Sequence, residues 1–155
     1  MSNRNRAELL AAVTAAARRQ HAAYTLFNQA LADRLALHPT DLQCVSLLGL
    51  EPEPLSTGQI AKLTGLTSGS ATRLVDRLER AGLVERRTDP HDRRKTLVSL
   101  SPQRGPELEA AWKAPGSAFA ETLDEFTDEE LAVIERYLWR TTQVGDEHAA
   151  RSQMH

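Results

Sequence analysis

A single cysteine, Cys44, serves the whole chain, so no internal disulfide can staple the fold, and the reducing cytoplasm is the simplest expected location. Aromatic residues make up only 5%; Ala and Leu take their place, which favours helix over sheet. No apolar run approaches the ~20 residues needed to cross a bilayer, and no membrane partner is expected. Residues 1–6 are polar, and the Ala-rich stretch behind them carries Arg18 and Arg19, unlike a secretory leader. Gly-rich phosphate loops are missing, as are Ser/His/Asp or Cys/His sets in a recognisable context, so neither enzyme activity nor a cofactor is expected. Five histidines are present, yet none falls in a His-x-x-x-His pair and no Cys-x-x-Cys occurs, which speaks against a metal site.

What is present is enough apolar material, 41% of 155 residues, for one compact domain or a small domain with helical extensions. The formal net charge of −2 hides an asymmetry. Residues 56–95 hold nine basic side chains (Lys62, Arg73, Arg77, Arg80, Arg86, Arg87, Arg93, Arg94, Lys95) against five acidic ones (Asp76, Glu79, Glu85, Asp89, Asp92), a surplus of four. The remainder holds ten basic against sixteen acidic residues, hence −6. A basic middle between acidic ends suits a chain whose middle alone meets phosphates. Alone, the pattern fits a merely solvated face as readily.

The periodicity predicts a long amphipathic helix over residues 7–37, with Leu10, Val13, Ala17, Tyr24, Phe27 and Leu31 on its apolar stripe. It is longer than a small core requires, so part of it should pack on something else, such as a second subunit. His38-Pro39 ends it, and Thr40 with Gln43 suggests a capping box for the next helix, which Gly49 stops. Ser56 and Gln59 form another such box. Thr67 is a good N-cap for a helix closing at Ala81-Gly82. Two short helices joined by a Gly-containing turn make a helix-turn-helix. Then the period changes: residues 83–88 and 96–100 are β-compatible around a polar, turn-forming tip, as in a hairpin. Ser101-Pro102 suggests a further helix start, delayed toward Pro106, with a kink or break near Pro115-Gly116. Thr127 and Glu130 cap a last helix running to about Val144, with 146–155 as a loose tail. Asp128, Glu129 and Glu130 read as first-turn charges favoured by the helix dipole.

On the helix after Thr67, Ala71, Leu74, Val75 and Leu78 share one face. Gly69, Arg73, Asp76, Arg77 and Arg80 lie broadly opposite, and Ser68, Ser70 and Thr72 cluster near its start. A recognition helix needs this layout: one face anchored in a core, the other offering short donors and Arg forks to phosphates and base edges. An ordinary amphipathic helix has it too. The hairpin decides between them, because a helix-turn-helix followed by a strand pair with an Arg-rich tip is a winged helix. Asp92 beside Arg93 and Arg94 can stiffen an Arg for the narrow, negative minor groove.

The run TRLVDRLERAGLVERRTDPHDRRKTLVSLSP at 72–102, preceded by LSTGQIAKLTGL at 55–66, strongly resembles the multiple-antibiotic-resistance regulator (MarR) family. The likeness is close over 40–102; the flanking helices match in length and order only. The resemblance implies a mainly α fold: a winged helix-turn-helix with a two-stranded wing at 39–100, flanked by dimerisation helices at 1–38 and 101–145. It implies a homodimeric regulator of transcription, usually a repressor, on a pseudopalindromic stretch of double-stranded DNA. Ser68, Ser70, Thr72, Arg73 and Arg77 map to major-groove contacts. Asp92 maps to the brace of the wing tip, Arg94 to its minor-groove probe and Arg93 to the DNA backbone. Pro106 and Pro115-Gly116 depart from the family's uninterrupted dimer helix.

Relatives often bind small aromatic or phenolic ligands between the dimer helices and the winged helix. By that likeness His21, Tyr24, Cys44 and Trp112 are candidate pocket residues, although Tyr24 and Trp112 equally suit a dimer core and Cys44 a core filler. Some relatives sense oxidants through a cysteine, usually one near the start of the first helix; Cys44 lies elsewhere and has no basic neighbour to lower its pKa. Two rival functions remain: a winged helix used as a protein-interaction module, and a redox- or metal-sensing variant of the regulator.

Overall fold

The computed structural model describes residues 4–152. Helix α1, Arg6–Arg34, opens with a capping box in which Asn5 Oδ1 accepts from the Glu8 amide and Glu8 accepts from the Asn5 amide, both at 3.0 Å. It buries only Leu31 and Ala32, near its end, so its N-terminal half adds nothing to the core of the subunit. The chain then turns through Ala36, a non-glycine residue at φ +54°, a conformation that crowds a Cβ.

Helix α2 spans Pro39–Leu48, and its N-cap is His38, whose Nδ1 accepts from the Thr40 amide at 3.2 Å. This corrects the expectation of a Thr40 cap. Proline has no N–H to lose and a preset φ, so it takes the first helical position and moves the cap one residue ahead of itself. A short strand β1, Leu55–Ser56, leads into α3, Thr57–Thr64. The Ser56–Gln59 box forms as expected, and Gly65, at φ +68°, closes α3 in the left-handed region. Helix α4, Ser68–Arg80, starts on Thr67, whose Oγ1 accepts from the Ser70 amide at 3.3 Å.

Gly82, at φ +70°, turns the chain into β2, Val84–Thr88, and β3 follows at Thr96–Leu100. A Cβ at Gly82 would lie 3.0 Å from Gln103 Oε1, so close approach and backbone angle both favour glycine there. The hairpin is the expected wing. What was not expected is a third strand: β1 pairs antiparallel with β3, giving the order β1-β3-β2 with Leu55 opposite Val98. The start of the helix-turn-helix and the back of the wing therefore share hydrogen bonds.

The core collects Leu42, Val45 and Leu48 from α2, Ile60 from α3, Leu74, Val75 and Leu78 from α4, and Leu83, Val84 and Val98 from the wing base. Each such side chain, fully buried, contributes roughly 1.5–3 kcal/mol of transfer free energy. Leu108 and Ala111 join it from α5, Gly105–Glu121. Helix α5 begins at Gly105 with Pro106 in its first turn, close to the delayed start expected. Ser101 does not cap it; its Oγ accepts from the Gln103 amide in a local turn. Nor does α5 break at Pro115, which sits inside the helix. Proline there removes one backbone hydrogen bond, but the helix-forming Ala110, Ala111, Ala114 and Ala118 surround it and Ala111 anchors the turn in the core.

A 3-10 turn, Thr122–Glu125, leads to α6, Asp128–Ser152. The Thr127–Glu130 box forms as expected: the Thr127 amide donates to Glu130 at 2.9 Å and Thr127 Oγ1 accepts from the Glu130 amide at 3.3 Å. The helix outruns its expected end near Val144 and continues through the stretch read as a loose tail; residues 153–155 of that tail lie outside the described residues. Gly145 costs a helix only about 1 kcal/mol, and an Arg151–Glu147 pair at 3.3 Å supports the last turns. Among the described residues none of α6 is buried, while Val133, Tyr137, Leu138, Trp139 and Val144 are exposed. No described helix is long and apolar enough to cross a membrane.

Candidate nucleic-acid interface

The buried face of α4 is complete. Ala71, Leu74 and Val75 are 0% exposed and Leu78 1%, so the helix is seated and its other face is turned outward. On that face Ser68, Gly69, Thr72, Arg73, Arg77 and Arg80 are exposed and Ser70 is half-buried. Their side chains are partly committed to one another. Thr67 Oγ1 donates to Ser70 Oγ at 3.0 Å, Arg73 Nη2 donates to Ser70 Oγ at 3.2 Å, and Thr72 Oγ1 donates to the Ser68 carbonyl at 2.9 Å. These are exposed, exchangeable bonds that leave the guanidinium of Arg73 near the helix start.

Arg77, exposed on the same face, has a partner that the sequence did not show. Its Nε and Nη2 donate to the two oxygens of Asp41 on α2, at 3.1 and 2.6 Å. Asp41 is 6% exposed, the one charged side chain buried among the described residues. The carboxylate raises the Arg77 pKa above its already high ordinary value, chiefly through that hydrogen bond, so the guanidinium is permanently charged. A second pair of bonds ties α4 to the wing: Arg86 of β2 donates to Asp76 at 2.6 Å and to Glu79 at 3.0 Å. Sequence reasoning missed both ties. A signal for the first exists, since Asp41 occupies the spacing of the apolar stripe of α2, three and four residues before Cys44 and Val45, where a carboxylate demands a buried cation.

The wing tip is built by short-range bonds. The Asp89 carboxylate accepts from the amides of His91 at 2.7 Å and Asp92 at 3.4 Å. The His91 amide is the main reason its pKa lies below the usual value. The turn closes with the Lys95 amide donating to the Asp92 carbonyl at 2.8 Å and the Asp89 amide to the Lys95 carbonyl at 3.0 Å. Asp92 then holds Arg94 twice, accepting from its amide at 3.1 Å and from its Nε at 3.3 Å. The Arg94 side chain is nonetheless 92% exposed: fixed at its root and free at its fork. Arg93 and Lys95 are exposed beside it.

The residues considered for a ligand pocket do not converge as a set. Tyr24, Phe27, Trp112 and Phe119 form a chain of aromatic contacts between α1 and α5, with ring centroids 5.5–6.0 Å apart. His21 is exposed one turn earlier on α1. Cys44 is fully buried; it packs in the core and has no surface to offer a ligand. Among the described residues no cluster of His, Cys, Asp and Glu suits a metal ion.

Comparison with known proteins agrees with this geometry. A model described as MarR family matches residues 37–95, the segment from α2 through the wing tip. The HTH-type transcriptional regulator YcgE of Bacillus subtilis is 35% identical over 152 residues, covering 97% of this chain and 98% of its own. Among solved structures, a MarR family protein from Bacillus stearothermophilus is 25% identical with a TM-score of 0.67, over 90% of this chain and 97% of that one. A MepR mutant from S. aureus, solved bound to an oligodeoxyribonucleotide, shares the fold at a TM-score of 0.56 and 19% identity, over 84% of this chain and 96% of that one. With a seated helix-turn-helix, a braced wing and a relative matched nearly end to end, this chain belongs to the MarR family of transcriptional regulators.

Proposed function

We propose that the protein is a homodimeric, cytoplasmic, sequence-specific DNA-binding regulator, a repressor that grips a pseudopalindromic operator with one winged helix per subunit. In this reading Ser68, Ser70, Thr72 and Arg73 enter the major groove, Arg93 meets the phosphate backbone, and Arg94 enters the minor groove with Asp92 as its brace. The observation that carries the reading is the wing tip, where an Arg 92% exposed is anchored at its backbone amide and Nε by one carboxylate. A cation pre-ordered in this way loses little entropy on entering a narrow groove. The oligonucleotide-bound MepR relative supports a DNA partner. The exposed apolar residues of α1 and α6, among them Leu10, Val13, Leu138 and Trp139, support a second copy as the other partner.

The test is a titration with DNA from upstream of the protein's own gene. Arg94→Ala should weaken operator binding by about 1–3 kcal/mol and lower the salt dependence by about one contact. Unchanged affinity would remove the wing from the mechanism. The aromatic chain of Tyr24, Phe27, Trp112 and Phe119, with His21 nearby, favours release by a small phenolic or other aromatic ligand. Salicylate, as a probe, should then quench Trp112 and weaken operator binding together.

A further inference from the structure

Asp41 has to be paired where it stands. An ionised carboxylate taken out of water is costly unless its oxygens are satisfied, and here both accept from the single guanidinium of Arg77. The two residues are 36 apart in sequence, on α2 and α4. Helix α2 is itself seated by Leu42, Val45 and Leu48, so the carboxylate is a fixed post. The Arg77 side chain is 47% exposed, but Nε and Nη2 are held by the buried carboxylate, so a phosphate that drew the fork away would leave Asp41 unpaired. Leaving a buried carboxylate without its cation is strongly destabilising, whereas a solvent-screened contact returns little. The first effect wins, and Arg77 stays on Asp41. Across the helix, Arg86 holds Asp76 and Glu79, so α4 is tied by ion pairs toward α2 and toward the wing.

We infer that Asp41 is a positioning residue for the DNA-reading helix: through Arg77 it fixes the seat of α4, and Arg77 serves as that link rather than as a phosphate ligand. The inference rests on the DNA-reading role proposed above. Recognition from α4 then falls to Ser68, Ser70, Thr72 and Arg73, which lie ahead of the tie and depend on it for their placement.

The test compares the salt dependence of operator binding among full-length variants, each checked for native helicity at the assay temperature. A phosphate contact contributes about 0.9 to the slope of log affinity against log salt. Arg73→Gln should lower the slope by about that amount. Arg77→Gln should leave it at the wild-type value while weakening operator binding roughly tenfold. Asp41→Asn should match that loss, with the double variant no weaker than either single one. In Arg77→Gln, Asp41→Asn and the double variant the preference for operator over scrambled DNA should fall, because a displaced helix loses base contacts while non-specific phosphate contacts persist. Stability alone would not move that ratio. Where the single variants fail to fold, Asp41→Leu combined with Arg77→Met replaces the pair by apolar side chains, a swap that buried pairs tolerate; its slope should equal that of the wild type. A slope lower by about 0.9 in any protein lacking Arg77, or Asp41→Asn with affinity and discrimination intact, overturns the inference. Wild-type protein that binds no DNA at low salt overturns the proposed function itself, and this inference with it.

Discussion

The thiol of Cys44 lies in the core within one helical turn of the Asp41 carboxylate. Burial pushes its pKa up from 9.0 to about 11, with the charge of Asp41 adding to the effect. Both influences disfavour the thiolate, the form that reacts with oxidants and metals. The folded protein should therefore resist a disulfide reagent at neutral pH and react once denatured; rapid native labelling would contradict this and reopen a redox role. The same shift sets a pH dependence. A thiol whose pKa rises on folding gives stability that is whole below pH 9 and lost as the pH climbs toward 11. Asp89 acts with the opposite sign: its lowered pKa stabilises the wing turn above the usual carboxylate range, and that contribution is lost in acid.

At the scale of elements, the caps decide where helices begin. Thr67→Ala removes the acceptor for the Ser70 amide, which should cost about 1 kcal/mol, a fall of about 2–4 °C in Tm for a chain of this size. No change in Tm would mean that packing alone places the start of α4. Features made by near neighbours were legible in the sequence: the Ser56–Gln59 and Thr127–Glu130 boxes, the Thr67 cap, the glycine at position 82, the hairpin, and the Asp92–Arg94 brace two residues apart. Features made across the fold were not. Strand β1 is two residues long and exists because Leu55 meets Val98, far along the chain. The Asp41–Arg77 pair joins separate helices, so the wheel that placed Arg77 on the open face of α4 could not show the carboxylate waiting there. Pro115 misled because a single proline signals a break locally, while flanking alanines and the core anchor at Ala111 carry α5 through it.

At the scale of the whole molecule, the surplus of positive charge in residues 56–95 lies on the elements from α3 through the wing, and the acidic remainder is carried mostly by α5, α6 and the turn between them. The apolar residues that α1 and α6 leave in water are the ones the proposed dimer would cover. On the dimer proposed above, placing Asp at both Leu138 and Trp139 should shift the protein from dimer to monomer in sedimentation and weaken operator binding, because one head alone loses the gain of engaging two half-sites. A wild-type protein that sediments as a monomer at tens of micromolar would sink that assembly.

Helix α6 carries a further consequence, since none of its described residues is buried within its own subunit. A lone chain gains little by forming it, so on the dimer proposed above its helicity is supplied by association. Quantity and foldedness then become one variable: diluting the regulator should lower its melting point and open its last helix to proteases. A cell that lets the pool run low would lose these subunits to degradation instead of keeping them in reserve.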